Sequence, residues 1–115
     1  MEIVQTKRYL RDIKKAKFST AEIEALENEI IADPLKGDPI PQTNGLRKIR
    51  FAAKGKGKRG GARAIYFYMV IEDTAYMLRA FAKSDQEDLS DADKKAAAKV
   101  IETEIMEQDD GESED

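Results

Sequence analysis

Apolar residues recur along this chain with two periods, one typical of helices and one typical of strands. The helical period covers residues 7–17 and resumes after Phe18. At that point Ser19 and Glu22 form a Ser-x-x-Glu capping box, which marks the start of a second helix. Asp33-Pro34 ends this helix, because a residue before proline disfavours helical backbone. These two segments predict a helical hairpin.

Strand-like runs, rich in β-branched and aromatic residues, occupy residues 2–5, 46–53, 62–71 and 74–83. Glu72-Asp73 forms a tight turn, so the last two runs predict an antiparallel hairpin. Ser90 provides an N-cap for a last helix. The order β-α-α-β-β-β-α predicts a small α+β domain at residues 1–106. In this domain the helical hairpin covers one face of a mostly antiparallel sheet.

Strict alternation does not decide which side of the later strands faces the core. Arg63 shares one side with Phe67 and Met69, whereas Tyr66 and Tyr68 lie opposite. Arg79, Phe81 and Lys83 likewise share one side of the last strand. An open face that holds Arg63 would leave Phe67 or Met69 partly exposed, a feature that base stacking uses.

The charge of the chain is unevenly distributed. The net charge is -3, but residues 1–83 carry +7 and residues 84–115 carry -10. Residues 107–115 hold six carboxylates and no apolar residue, so we expect a disordered acidic tail. The tail is interpreted as a solubility feature, with folding back on the basic domain as the alternative. The basic domain indicates a polyanionic partner.

Composition excludes several classes of chemistry. Cysteine, histidine and tryptophan are absent, so disulfides, thiol nucleophiles and Cys/His zinc sites are excluded. The usual neutral-pH general base is also missing. We expect no metal and no cofactor. No apolar run approaches the length of a membrane span, and the first 20 residues are unlike a signal peptide, so we expect a cytoplasmic protein.

Eight cations and no carboxylate lie between residues 47 and 63, partly on strands and partly in a glycine-rich loop: Arg47, Lys48, Arg50, Lys54, Lys56, Lys58, Arg59 and Arg63. Glycines let a backbone approach phosphates closely, and lysines add flexible point charges. The Walker A spacing is absent. An RNA or DNA backbone therefore suits this segment better than a single nucleotide. A solvated sheet face beside a loop is the alternative interpretation.

Two segments resemble the RelE/ParE toxin superfamily, and within it the HigB-like branch most closely. They are Leu46-Arg-Lys-Ile-Arg-Phe and Gly-Lys-Arg-Gly-Gly-Ala-Arg63-Ala-Ile-Tyr66-Phe-Tyr68. Ala82-Lys83-Ser84, followed by Glu87-Asp88-Leu89-Ser90, is similar to the end of the last strand and the final helix entry of that branch. The resemblance implies the RelE-like fold and the toxin of a type II toxin–antitoxin pair. Its partners would be a cognate antitoxin (the helix-turn-helix type is one option), the ribosome and mRNA.

The resemblance also implies site residues. Lys48, Arg50 and Arg63 match basic active-site residues of ribosome-dependent mRNA endoribonucleases of the RelE type, and Lys83, the fourth predicted catalytic residue, matches a basic position at the end of the last strand. The remaining predicted RNA-binding residues are Arg47, Lys54, Lys56, Lys58, Arg59, Tyr66 and Arg79. Ser84 stands where RelE has an arginine, and Ser90 falls where RelE has a catalytic tyrosine.

RNA cleavage by attack of the 2′-hydroxyl needs a base, an acid and stabilisation of a charged phosphorane. Arg50 and Arg63 would hold the phosphate by preorganised electrostatics. Lys48 or Lys83 would act as the base, since neighbouring cations disfavour a protonated amine. The acid stays unassigned, with Tyr66 and Tyr68 as options if their face is open. The competing functions are a ParE-like gyrase poison and a nucleic-acid-binding module without catalysis.

Overall fold

The computed structural model describes residues 1–53, 61–83 and 89–106, with side chains as far as residue 103 in the last stretch. Strand β1 (Glu2–Gln5) is followed by helices α1 (Lys7–Ala16) and α2 (Thr20–Ala32). The chain continues through β2 (Asp38–Pro39), β3 (Leu46–Phe51), β4 (Ala62–Met69) and β5 (Thr74–Ala82). It ends with α3 (Asp91–Val100), which continues into a π-helical segment, Ile101–Met106. This order confirms the predicted α+β domain.

The five strands form one sheet in the order β1-β5-β4-β3-β2. All neighbours are antiparallel except β1 and β5, which pair in parallel from Glu2↔Thr74 to Gln5↔Met77. The two-residue β2 lies between α2 and β3, outside the strand-like runs that the sequence predicts. The predicted tail, residues 107–115, lies outside the described residues, and the domain boundary at residue 106 stays a prediction.

The helix starts follow the sequence signals. The Ser19 side chain accepts from the Glu22 amide while the Glu22 carboxylate accepts from the Ser19 amide, so both bonds of the capping box form. Thr6 caps α1 and Ser90 caps α3 by accepting from Tyr9 and Asp93 amides. None of the helices in the described part of the chain has the length and apolar character needed to cross a bilayer.

Both faces of the sheet are buried, which the sequence alone does not reveal. The helical hairpin covers one face, where Tyr9, Leu26 and Ile30 pack on residues such as Tyr66 and Met77. We call this the hairpin face. A second cluster on the opposite face, here the α3 face, joins residues of the sheet to Leu89 and to α3 and the segment after it: Leu46, Ile65, Phe67, Leu78, Phe81, Leu89, Ala97 and Ile101.

The α3 face resolves the ambiguity in β4. Arg63, Ile65 and Phe67 lie on this face, and Phe67 is only 8% exposed. Of the two residues expected to be partly exposed on an open Arg63 face, Phe67 is therefore covered and offers no surface for stacking. Met69 is half-buried against the same cluster.

A β-bulge in β5 breaks the alternation of that strand. Ile65 pairs with Arg79 but the next residue, Tyr66, pairs with Met77, so Leu78 is an extra residue. Ala75, Met77 and Ala80 consequently lie on the hairpin face, whereas Leu78 and Phe81 lie on the α3 face. No strict period of two produces this assignment.

Candidate nucleic-acid interface

The pairing of β3 with β4 brings two predicted site residues directly opposite each other. Arg50 faces Arg63, and Arg63 faces Phe81 of β5, so these three residues form one row across the sheet. Lys48 lies in a neighbouring row, opposite Ile65. Alternation from the buried Leu46 places Lys48 and Arg50 on the α3 face.

Lys83 extends this arrangement on the other side of the row. Its amide donates to the carbonyl of Gly61 at 3.0 Å, which continues the β4–β5 ladder past the end of β5. Two residues after Phe81, Lys83 falls on the α3 face by alternation. The structure therefore brings Lys48, Arg50 and Arg63 together at one end of this face, and it adds Lys83. We call these four residues, which span three successive rows of the α3 face, the basic row.

The members of the basic row differ in exposure. Arg50 and Lys83 are exposed, Lys48 is half-buried, and Arg63 is only 6% exposed. The Arg63 guanidinium donates from Nη1 to the carbonyl of Ala62 at 3.2 Å, which helps to fix its direction. Like charges directly opposite on neighbouring strands are unfavourable. The pairing places two guanidinium-bearing side chains side by side on one face, an arrangement that suits recognition of a phosphate.

Four predicted RNA-binding cations lie outside the described residues: Lys54, Lys56, Lys58 and Arg59. Their segment joins the end of β3 to the start of β4, beside Arg50 and Arg63 in sequence. Their role stays a prediction.

Tyr66 does not suit the predicted contact with RNA. The side chain is 0% exposed beneath the helical hairpin. Its hydroxyl donates to the carbonyl of Pro34 at 2.7 Å and accepts from the Gly37 amide at 3.0 Å. Burial raises the pKa of Tyr66, which makes it a poorer acid. The burial and the two hydrogen bonds give Tyr66 a structural role, because the helical hairpin covers the ring and the backbone at Pro34 and Gly37 holds the hydroxyl.

The close approach of Gly37 to Tyr66 depends on the missing side chain. A Cβ added at Gly37 would lie 2.8 Å from Cε1 of the Tyr66 ring. The loop before β2 is thus fastened to the core through a hydroxyl that only a glycine can approach this closely.

Tyr68 is also unsuited to the role of general acid. It lies five residues along β4 from Arg63, about 17 Å at the usual rise of a strand. Its hydroxyl donates to the Asp73 carboxylate at 2.6 Å, and this bond raises the pKa of Tyr68. Neither tyrosine therefore supplies the proton for the leaving oxygen.

Two further predicted RNA-binding residues have intramolecular partners. Arg79 is 9% exposed, and its Nε donates to the Asp12 carboxylate at 2.7 Å, with Asp93 at 3.5 Å from Nη1. Arg47 donates from Nη1 to the carbonyls of Gly37 and Leu35, at 2.7 and 3.3 Å. Arg47 lies on the hairpin face, opposite to its neighbours Lys48 and Arg50. Arg79 thus forms an interior ion pair, and its predicted contact with RNA stays a prediction.

Asp12 is a residue that the sequence interpretation overlooks. It is the one carboxylate among six cations between residues 7 and 17. The structure buries it to 8% exposure against β5, whereas the cations around it are exposed. A lone acid in a basic helix is the sequence signal that could have found it, because a buried carboxylate needs partners.

The chain matches a known family along nearly its whole length. A sequence model for the RelE toxin of the RelE/RelB toxin–antitoxin system matches residues 1–112. The chain belongs to the RelE toxin family. It is accordingly the toxin of a type II toxin–antitoxin pair, as the resemblance implies. The match does not separate the HigB-like branch from the rest, so that finer assignment stays a prediction.

Solved structures share the fold of this RelE-family toxin. An arginine-to-alanine double mutant of Escherichia coli RelE in the free state is 14% identical, with 75% of this chain and 86% of that chain covered at a TM-score of 0.53. The isolated E. coli RelE toxin is 13% identical, with coverages of 86% and 97% and a TM-score of 0.51. A conserved hypothetical protein from Helicobacter pylori is 16% identical, with 74% and 97% covered at 0.50. At these identities the likeness establishes the fold alone.

Proposed function

We propose that this RelE-family toxin is a ribosome-dependent mRNA endoribonuclease, with a cognate antitoxin as its natural partner. The observation that carries the proposal is the basic row. Arg50 and Arg63 face each other across two strands, and a lysine lies on either side of them. The membership in a family of RelE/RelB toxins supports both the target class and the antitoxin.

The arrangement suits in-line cleavage at one phosphate. The two guanidinium groups stabilise the charge of the phosphorane, as preorganised cations do at other phosphoryl centres. Lys48 and Lys83 are separated by about 13 Å along the strand direction, and the pair of Arg50 and Arg63 lies between them. Long side chains from both sides reach the same phosphate. One lysine accepts the proton of the 2′-hydroxyl as the 2′ oxygen attacks the phosphorus. The other lysine, protonated, donates a proton to the 5′ oxygen as the bond between phosphorus and that oxygen breaks.

This chemistry supplies stabilisation but little positioning of the RNA. No histidine is present, and the tyrosines of β4 are engaged elsewhere. Holding the substrate in a near-attack geometry accounts for a large share of many barrier reductions. The ribosome would provide this positioning, which is why we propose dependence on translation.

The test is mapping of mRNA cleavage by primer extension, with and without translating ribosomes. Wild type, Arg63→Ala and Arg50→Ala are compared, and Arg50→Ala carries the result if the buried Arg63→Ala variant unfolds. We expect ribosome-dependent cuts in the wild type that both variants lose. Intact mRNA from a toxic wild type would overturn the proposal and indicate a gyrase poison. Salt-sensitive RNA retention without cuts would overturn it in favour of a binding module.

A further inference from the structure

We propose that Asp12 is a positioning residue, whose carboxylate holds the β-bulge that brings Lys83 to the α3 face. The part of the proposal that concerns Lys83 rests on the function proposed above. Its structural part, the control of the bulge, stands on hydrogen bonds and strand register alone.

The first step concerns the free edge of β5. Strand β1 pairs with β5 only as far as Met77, because the chain then turns into α1 at Thr6. The Thr6 amide and hydroxyl both donate to the Met77 carbonyl, at 3.2 and 2.7 Å, and close this ladder. Among the described residues, no strand lies beside the edge of β5 after Met77, so the backbone groups of this edge need other partners.

The Asp12 carboxylate is the partner of one of these backbone groups, the Ala80 amide. Its Oδ2 accepts from the Ala80 amide at 3.0 Å and from Nε of Arg79 at 2.7 Å. Its other oxygen accepts from Nε of Arg8 at 3.2 Å, and the carboxylate is almost fully buried. One side chain of α1 thus forms hydrogen bonds with both residues that follow Leu78, the extra residue of the bulge.

The second step concerns the consequence for register. With the bulge, Arg63 pairs with Phe81 and the Lys83 amide bonds to Gly61. Continuing the pairing of Tyr66 with Met77 without an extra residue would place Ala80 opposite Arg63. Every later side chain of β5 would then change face, because a shift of one residue reverses the alternation. Lys83 would project to the hairpin face, away from Arg50 and Arg63.

The structural test uses the full chain and needs no activity. Amide hydrogen exchange at Ala80 and the interstrand proton contacts of Arg63 are measured by NMR in Asp12→Asn and Asp12→Ala. We expect exchange at Ala80 to accelerate at least about tenfold in Asp12→Ala, the range for losing one hydrogen bond to a charged group, and by less in Asp12→Asn, whose amide oxygen is uncharged. The Arg63–Phe81 contact should weaken while the Tyr66–Met77 contact persists. An unchanged Ala80 exchange rate and an unchanged Arg63–Phe81 contact would overturn the proposal.

Two variants make this test specific. Asp93→Asn removes the other partner of Arg79 but leaves the Asp12–Ala80 bond, so we expect wild-type strand pairing. If Asp12→Ala does not fold, Asp12→Asn carries the measurement, because the uncharged amide fills the same space and forms only weaker hydrogen bonds to Ala80 and Arg79. Loss of the Arg63–Phe81 contact in Asp93→Asn would contradict the assignment to Asp12.

The kinetic test separates positioning from stability. On translating ribosomes, we expect Asp12→Asn to lower kcat about 10- to 100-fold with little change in KM, the scale of a small misplacement. In a Lys83→Ala background the same substitution should cost less than about threefold, because coupled sites are not additive. An equal cost in both backgrounds would reject action through Lys83. If Lys83→Ala retains full activity, the proposed role of Lys83 fails, and the NMR result still decides the role of Asp12.

Discussion

Both faces of the sheet carry a cluster of buried residues, but their polar side chains have different partners. On the hairpin face, Tyr66 and Arg47 form hydrogen bonds with backbone groups of the loop at residues 34–37. Phe18 and Phe51 pack there edge to face, with ring centroids 5.1 Å apart. On the α3 face, two arginines of neighbouring strands lie opposite each other, and Arg50 and Lys83 reach solvent.

The difference shows that two arginines of one strand can differ in their role when they lie on opposite faces. Arg47 closes a loop, whereas Arg50, three residues later, belongs to a row of like charges. Satisfied polar groups favour the folded state, whereas like charges directly opposite each other oppose it. We therefore expect substitutions on the two faces to separate activity from stability.

The largest expected effect comes from Arg50 compared with Arg47 on the same strand. Arg50→Ala should lower mRNA cleavage on ribosomes about 10²- to 10³-fold, the usual range for losing one preorganised group at a charged transition state. Its thermal stability should stay unchanged or rise, since a like-charge pair is relieved. Single-turnover cleavage and thermal denaturation measure the two quantities.

Arg47→Ala is the matched control for this comparison. It removes two bonds to loop carbonyls, so we expect lower stability and nearly wild-type cleavage per folded molecule. Equal loss of cleavage in both variants would show that the distinction between the faces is wrong.

The next effect concerns stability of the hairpin face. Tyr66→Phe removes the donor to Pro34 and leaves the buried Gly37 amide without its acceptor. We expect the free energy of unfolding to fall by about 1–3 kcal/mol, the cost of an unsatisfied buried group. Urea denaturation measures this change, and cleavage by the folded protein should persist. Tyr76→Phe, which loses an exposed bond to Glu72, is the control and should change the free energy by less than about 0.5 kcal/mol. Loss of cleavage in Tyr66→Phe at full stability would restore a catalytic role for this tyrosine.

A smaller effect concerns the salt dependence of RNA binding. If about five phosphates are neutralised, the logarithm of the affinity should fall with the logarithm of salt concentration at a slope near -4. Arg50→Ala should reduce the magnitude of that slope by about 0.7, the single-strand value for one phosphate contact, equivalent to about 2.6-fold in affinity between 50 and 200 mM salt. Arg47→Ala should leave the slope unchanged because its guanidinium is bound to the loop. Fluorescence anisotropy with a single-stranded RNA measures both, and an unchanged slope in Arg50→Ala would remove Arg50 from the phosphate contacts.

The sequence predicts those features that depend on neighbouring residues. The capping box of Ser19 and Glu22 forms with both bonds, and the basic segment supplies the adjacent Lys48 and Arg50. The β5 bulge is not visible in the sequence, because it depends on Asp12, 68 residues from Ala80. Alternation therefore left the core side of β4 and β5 open. The correct face for Tyr66 also required knowing that α3 closes the opposite side of the sheet.

The smallest effect concerns Tyr68 and Asp73 at the far end of β4. The hydrogen bond from Tyr68 lowers the pKa of the Asp73 carboxyl, so its contribution to stability is present above the unfolded pKa and is lost as the pH falls through the lower folded value. Tyr68→Phe should raise the pKa of Asp73 toward its ordinary value, and NMR titration of its carboxyl carbon measures the shift. Cleavage should stay at the wild-type rate, because Tyr68 lies far from Arg63. Tyr76→Phe, which has no bond to Asp73, should leave the titration unchanged. A cleavage defect in Tyr68→Phe alone would mean that this tyrosine reaches the RNA, and that the basic row does not act alone.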